Sequence, residues 1–336
     1  MTDKIEDASF ITRKRWGKGF QYFDSNNRKI HCRRQLKRIK ALVIPPMWDD
    51  VLIATESSAK IQASGRDAKG RKQYIYSEQW QRQQQAAKFG KLPEFAAKLP
   101  DMRQYCHKQL QQTQWTPEKV LSLMVLVLDD TGIRIGNKHY AQHNKTYGLS
   151  TLRRKHIVEH DDGISLEFTG KSGKQRCVTI DDECLAKHVQ QASEQPGYAL
   201  FRYRENASAW SDVSSDEVNA FIKSQMGEAF TCKDFRTWTA SCLAVEYYVE
   251  MQQNNKRTDS AKSGNTKPIN KIVKKVAKSL GNTPAICREY YIHPKILSAI
   301  EDDAISTETL RTNNDEDNNS SYALSAAERT VLRIIE

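Results

Sequence analysis

Around Phe89-Gly-Lys-Leu-Pro93 the hydrophobic period of the chain changes, and this change constrains the fold more than any other feature. Before it, residues 10–88 read as short strands broken by turns; after it, helical periodicity dominates. A chain of 336 residues has room for two domains with substantial cores. The expectation is an α+β protein with a small β-rich N-terminal lobe, residues 1–88, and a larger, mainly α-helical domain, 89–311. Residues 312–336 form an acidic, partly disordered tail with a short terminal helix.

In the first lobe, Gly17–Phe23 is a strand candidate, followed by a turn at Asp24-Ser-Asn-Asn27. Arg33–Lys40 suits a basic helix, ending before Ile44-Pro-Pro-Met-Trp48, and Val51–Ala54 suits another strand. Lys60–Tyr76 reads as a hairpin turning at Gly65–Gly70. Its Arg66, Lys69, Arg71 and Lys72 beside Tyr74 suit a surface lying along a phosphate backbone; an ordinary solvated tip is the plain alternative.

In the second domain, Thr116-Pro-Glu opens an apolar helix, Val120–Leu128, leading to Asp129-Asp-Thr-Gly-Ile-Arg134. An arginine in so apolar a context needs a partner, structural or anionic. Ile164–Phe168 and Gln175–Ile180 form a hairpin across Thr169-Gly-Lys171-Ser-Gly-Lys174. This is not a nucleotide loop, because the glycine required five residues before Gly170 is Ser165. Ser214-Ser-Asp-Glu217 is a capping box for a helix to Met226, stopped by Gly227. A long helix starts at Thr231–Trp238 and runs to about Met251, with Arg236 near its positive end. Residues 253–268 read as a polar loop, Asn270–Leu280 as a basic amphipathic helix stopped by Gly281, and 312–321 as disordered. Ser325 caps the last helix.

Net charge is +11, unevenly spread. Residues 1–88 carry 19 Lys/Arg against 9 Asp/Glu, whereas 301–336 carry 3 against 9. A basic front and middle suit a polyanion such as nucleic acid. No apolar run approaches a membrane span, and the N-terminus lacks the apolar stretch of a secretion signal. Seven scattered cysteines without C-x-x-C fit a reducing cytoplasm. The pairs His139/His143 and His156/His160 lack the glutamate of H-E-x-x-H, so no metal site is expected.

Asn282-Thr-Pro-Ala-Ile-Cys-Arg-Glu-Tyr-Tyr291-Ile-His-Pro294 packs a helix start, two tyrosines and a stop signal together. Thr283 is a good N-cap, Pro284 suits the first helical position, and Pro294 ends the segment. With Arg134, Lys174 and Arg236 it supplies what breaking a DNA strand by a side-chain nucleophile requires. A tyrosine phenol, with an ordinary pKa of about 10, needs nearby cations to act. Fork-shaped guanidiniums clamp the equatorial oxygens of the phosphorane, a lysine on a hairpin protonates the leaving 5′ oxygen, and a neutral donor holds the remaining oxygen.

Ile44–Trp48, Gln62–Tyr74, Thr131–Asn137, Gly170–Lys174, Lys233–Thr237 and Leu280–Pro284 with Tyr291 resemble the poxvirus-type DNA topoisomerases IB, in particular their bacterial members. The resemblance spans roughly residues 10–300. It implies a C-shaped, two-lobed clamp around duplex DNA, a catalytic lobe of the kind shared with tyrosine recombinases, and a 3′-phosphotyrosyl intermediate. It also implies strand rotation and religation, with no ATP, metal or other cofactor, by a monomer on the nucleoid in the cytoplasm. Carried over by motif, Arg134 and Arg236 clamp the phosphate, Lys174 is the general acid and Tyr291 the nucleophile. Asn282 stands where the better-known pattern has histidine; it keeps a hydrogen-bond donor but not a charge. Gln62, Arg66, Lys69, Arg71, Lys72, Tyr74, Lys171 and Lys233 are the expected DNA contacts. The alternative is a tyrosine site-specific recombinase, which would need a helical arm-binding domain in front.

Overall fold

The computed structural model describes residues 10–161, 163–206, 209–257, 267–306 and 322–336. By its internal contacts the chain divides into two compact units, Met1–Lys88 and Phe89–Glu336.

The first unit is built on a five-stranded antiparallel sheet. Its strands are β1 (Phe10–Trp16), β2 (Gly19–Phe23), β3 (Asp49–Ala54), β4 (Ile61–Arg66) and β5 (Lys72–Tyr76), in the order β2-β1-β3-β4-β5. Helix α1 (Arg33–Ala41) adds Ile39 to a core of Ile11, Val51, Ile53 and Ala63. β1 is absent from the expected strands because Thr12-Arg-Lys-Arg15 hides its pattern; Ile11 alone is buried there. The Arg13 guanidinium donates to the carbonyls of Ile44 (3.3 Å), Pro45 (3.1 Å) and Trp48 (2.6 Å), which fixes the Ile44–Trp48 bend. The unit ends not in strands but in helix α2 (Glu78–Gly90). Ser77 Oγ accepts from Trp80 N at its start, and the Gln, Ala and Lys residues that follow are helix formers without an apolar face to announce them.

The second unit packs α3 (Leu92–Leu110), α4 (Pro117–Thr131), α7 (Ser215–Met226) and α8 (Cys232–Arg257) around one core. Between them lie α5 (Lys138–Asn144), a three-stranded antiparallel sheet of β6 (Ile157–His160), β7 (Gly163–Thr169) and β8 (Gln175–Ile180), and α6 (Glu183–Ser193). A short ribbon of β9 (Arg202–Arg204) and β10 (Trp210–Asp212) follows α6. α4 is apolar nearly all round, with Leu123 to Leu128 buried, as a central helix must be. Thr116 caps it, and Gly132 ends it in the left-handed conformation (φ 58°). A Cβ at Gly132 would meet Thr239 and Leu280 at 3.1 Å, so glycine lets the chain pass close to α8.

α8 runs on to Arg257, beyond the expected end at Met251, because its last turns are built from Gln, Asn and Lys that carry no apolar signal. Of the expected 253–268 loop, 258–266 lie outside the described residues, and α9 (Pro268–Leu280) begins directly after Lys267. α10 (Pro284–Tyr290) follows. Pro294 then starts a further helix, α11 (Pro294–Glu301), with His293 as its N-cap; proline stops one helix and opens the next.

The expected disordered stretch 312–321 also lies outside the described residues. The terminal helix α12 (Ala326–Ile335) belongs to the second unit's core through Ala327, Val331 and Ile335. Glu328, inside its Ser325 capping box, accepts from Arg103 on α3 (2.6 and 3.0 Å) and from Trp238 Nε1 on α8 (2.9 Å). Arg103 also pairs with Asp129 on α4 at 2.6 Å, so one guanidinium joins α3, α4 and α12. Burial pushes the Glu328 carboxyl up, but the hydrogen bonds and charge of Arg103 outweigh it and hold it below the ordinary range. Without Glu328, Arg103 would keep Asp129, but two of its hydrogen bonds and the Trp238 Nε1–H would lose their buried acceptor. Glu328→Ala is therefore expected to lower unfolding free energy by about 2–3 kcal/mol, read from the denaturant midpoint; a loss below about 1 kcal/mol would show that the helix contributes little.

Candidate active site

The C-terminal end of α9 organises the site. Gly281 takes the left-handed conformation (φ 62°) and ends the helix, leaving carbonyls without helical partners. Arg236, in the second turn of α8, donates to Leu280 O and, at 2.5 Å, to Gly132 O at the end of α4. Arg134, just past that same end, faces Gly281 O at 3.5 Å and donates to Asn282 Oδ1. Arg176 on β8 donates to Lys278 O at 2.9 Å and to Ser279 O.

Tyr291 completes the group. It is the C-cap of α10, its N–H bonded to Cys287 O at 3.0 Å, and it sits between the fully buried Cys287 and Ile292. The Arg236 guanidinium carbon lies 5.1 Å from the centroid of the Tyr291 ring. Hydrogen bonds and charge link the Tyr291 phenol to both Arg134 and Arg236. Burial lowers the Arg134 guanidinium, and this phenol partly offsets it. Arg236, only 5% exposed, is pushed down to about 10 by burial, then by the charge of Arg134, and it remains protonated at neutral pH.

Two donors shut off from water, Arg236 Nε and Asn282 Nδ2, have no acceptor among the described residues. A guanidinium can only donate, so it fixes Asn282 with its oxygen towards Arg134 and its amide N–H₂ away. No carboxylate pairs with Arg134, Arg176 or Arg236 among the described residues. The cluster therefore keeps a net positive charge, opposed only by the dipole of α9, and offers donors to an anion.

Arg134, Arg236, Asn282 and Tyr291, expected together from sequence, are thus brought together. Lys174 is not part of the cluster. It lies exposed at the tip of the β7–β8 hairpin, its carbonyl accepting from Gly170 N at 2.7 Å. Lys171 is exposed on the same tip and Lys233 on the first turn of α8. Tyr290, 37% exposed, lies on the outer side; burial and then its hydrogen bond to Glu289 raise its phenol, the wrong direction for a nucleophile.

Arg176 was missed by sequence reasoning. The available signal was an arginine two residues before Val178 and four before Ile180, both buried and on the same face of the strand.

In the first unit, Arg66 and Lys69 are exposed, Arg71 pairs with Asp67 at 2.7 Å, and Lys72 lies over the Tyr74 ring at 5.4 Å. Gln62 is a correction. It is 4% exposed; its amide nitrogen donates to the carbonyls of Glu56, Ser57 and Ala59, and its oxygen accepts from Arg38 at 2.8 Å. Its polar atoms hold the 56–59 loop. No group of three metal-ligating side chains occurs among the described residues, and no described helix is long and apolar enough to cross a membrane.

Residues 77–317 match the family described as eukaryotic DNA topoisomerase I, catalytic core, and residues 19–67 match bacterial DNA topoisomerase IB, N-terminal domain. The chain is 31% identical over 286 residues to DNA topoisomerase 1B of Acanthamoeba polyphaga mimivirus, covering 84% of each chain. It is 24% identical over 267 residues to DNA topoisomerase 1B of vaccinia virus (strain Copenhagen), covering 77% of this chain and 80% of the other. DNA topoisomerase 1 of rabbit fibroma virus is 26% identical over 295 residues, covering 84% of this chain and 87% of the other.

His293 supports the Tyr291 turn. Its N–H donates to Ser241 Oγ at 3.1 Å, its Nδ1 accepts from Lys295 N at 3.1 Å, and its ring meets Phe89 edge-on. Burial, then Lys295, pushes it down to about 4 from 6.5. A histidine held neutral in the folded state costs stability as pH falls from about 6.5, the unfolded value, to about 4, where the folded form also protonates. His293 therefore lowers resistance to urea as pH falls across that window, as does His156, also held at about 4 by burial, whereas Asp130, raised to about 7 by burial and then Asp129, contributes with the opposite sign. His293→Asn, which keeps an N-cap, should remove the His293 share, so the stability difference between parent and variant should change across that window and be flat above it, read from urea midpoints.

Proposed function

The chain belongs to the type IB DNA topoisomerase family, and from that premise we propose that it relaxes supercoiled duplex DNA by cutting one strand, letting it rotate and resealing it. It is a type I DNA topoisomerase, an isomerase. The observation that carries the reading is the pair of orphaned donors, Arg236 Nε and Asn282 Nδ2, in a carboxylate-free arginine cluster beside Tyr291. The oxygens of a phosphodiester are acceptors only, and they are what such donors fit.

In this mechanism the Tyr291 oxygen attacks phosphorus and its proton is lost to solvent. The P–O5′ bond breaks, a 3′-phosphotyrosyl bond forms, and Lys174 gives its proton to the departing O5′. Arg134, Arg236 and Asn282 hold the non-bridging oxygens as their charge grows. Lys174 has an extended backbone (φ −77°, ψ 131°) two residues before Arg176, so the alternation that sends the Arg176 guanidinium to α9 puts Lys174 on that same face. The phosphotyrosyl bond retains the energy of the broken diester, so the freed 5′ hydroxyl reseals the strand without a nucleotide. The guanidiniums supply the charge that a metal supplies elsewhere.

The exposed Arg66, Lys69 and Lys72 of the first unit, with Lys171 and Lys233 of the second, are proposed to meet the phosphates of the duplex. The proposed setting is the cytoplasmic nucleoid, with the protein acting as a monomer. Seven unpaired cysteines support a reducing compartment. A tyrosine recombinase shares this chemistry, but the match of residues 19–67 to a topoisomerase IB N-terminal domain favours relaxation over recombination.

Tyr291→Phe is expected to bind DNA as the parent does yet form no covalent adduct on a nicked or supercoiled substrate. Tyr290→Phe should retain most activity. Mass spectrometry of the peptide left on DNA after trapping and proteolysis reads the attachment residue; attachment at Tyr290 would overturn the assignment. Relaxation of positively and negatively supercoiled plasmid should proceed in chelator without ATP. An absolute need for magnesium at optimised ionic strength would refute the charge argument.

A further inference from the structure

Two parts of the proposed machinery stand on different elements. Arg134, Arg236, Asn282 and Tyr291 surround the end of α9, whereas Lys174 sits on the β7–β8 hairpin. A proton donor must come within hydrogen-bond reach of its target oxygen, about 2.6–3.2 Å, so the hairpin has to be held in register with the cluster. The backbone bonds of the tip itself, Gly170 N to Lys174 O (2.7 Å) and Gly173 N to Gly170 O (3.1 Å), close the turn on itself, and the backbone bond at its base, Tyr147 N to Thr169 O (2.8 Å), holds the β7 side and not the strand that carries Lys174.

Arg176 makes the connection. Its backbone is in β8, opposite Phe168 of β7, two residues from Lys174. Its guanidinium donates to two successive carbonyls of α9, Lys278 O and Ser279 O. A planar fork matched to two acceptors fixes orientation as well as distance. The path is cleared by glycines at both ends. A Cβ at Gly170 would stand 2.9 Å from Arg176 Cγ, and one at Gly281 would stand 2.6 Å from its Nη1. The helix end that Arg176 grips is the one that Arg236 and Arg134 also grip, at Leu280 O and Gly281 O. Burial, then charge repulsion from Arg134, weakens the Arg176 guanidinium's hold on its proton, while Lys278 O and Ser279 O keep the group in place.

We propose that Arg176 is a positioning residue, which ties the lysine-bearing hairpin to the end of α9 and thereby sets the proton donor against the leaving 5′ oxygen. This rests on the reading that Tyr291 attacks and that the hairpin supplies the proton. A purely structural role, or a role on the phosphate, would slow cleavage whatever the leaving group. A positioning role for the acid would not, because a 5′-bridging sulfur leaves as a thiolate and takes no proton.

The experiment compares single-turnover cleavage of a duplex with a 5′-bridging oxygen and one with a 5′-bridging sulfur at the same site. Arg176→Ala is expected to cleave the oxygen substrate about 10- to 100-fold more slowly than the parent, within the range of general-acid effects, and the sulfur substrate at close to the parent rate. Lys174→Ala should show the same pattern more strongly. The double variant should lose less than the sum of the two losses, because both act on one proton transfer. Arg236→Ala should be slow on both substrates.

Equal slowing of Arg176→Ala on the two substrates, or parent rates on both, would overturn the inference. If Arg176→Ala fails to fold by circular dichroism, Arg176→Lys decides the matter. It keeps the charge but not the two-carbonyl fork, so it should be slow on oxygen and rescued by sulfur, and absence of rescue again overturns the inference. The parent protein forming no Tyr291 adduct on either substrate would refute the underlying reading instead, and that outcome is read separately in the same gel.

Discussion

Everything at the candidate site hangs on the carbonyls at the end of α9. A helix leaves its last carbonyls without internal partners, and here they are taken by guanidiniums from three other places: Arg134 past the end of α4, Arg176 from β8 and Arg236 from α8. Carbonyl dipoles hold a cation without neutralising it. Three arginines are thereby gathered at one helix end, Arg134 and Arg236 beside the Tyr291 phenol, with their charge still available, which three carboxylates would have cancelled. Gly281, turning left-handed at the helix end, gives the guanidiniums access to that end, where any side chain would collide with Arg176.

The same unit shows the opposite use of arginine at Arg103 on α3. Arg103 is surrounded by Asp129 and Glu328 and is held more firmly protonated than in water, once their charges and hydrogen bonds overcome burial. That guanidinium is spent on joining α3, α4 and α12. The contrast separates a framework arginine from a ligand-facing one on physical grounds: the first has a full complement of carboxylate oxygens, while the second retains an orphaned N–H. α4 serves both, carrying Asp129 to the framework and, through Gly132, Arg134 to the site.

Much of this was legible beforehand. Caps and stops at Thr116, Ser214, Gly281, Thr283 and Ser325 lie where expected, because capping is a local interaction between residues three or four apart. Polar helices were harder. α2 and the last turns of α8 are rich in Gln, Asn and Lys, and without an apolar face they carry no period to read. Gln62 misled for a related reason: a glutamine beside a basic hairpin looks like a DNA contact, but its amide is committed to Glu56, Ser57 and Ala59 inside the loop.

The sequence by itself determined the candidates for the chemistry. Arg134, Lys174, Arg236, Asn282 and Tyr291 are identified by type and by motif, and motifs survive without coordinates. Only the tertiary structure decided which of them meet and what holds them. Arg134, Arg236 and Asn282 lie 148 residues apart at their extremes, and apart from the Arg134–Asn282 side-chain bond they are joined through the backbone carbonyls of Leu280 and Gly281, which no sequence pattern marks. Arg176 stayed invisible for the same reason: its partners are the backbone of Lys278 and Ser279, and a backbone acceptor acquires an address only when the chain has folded.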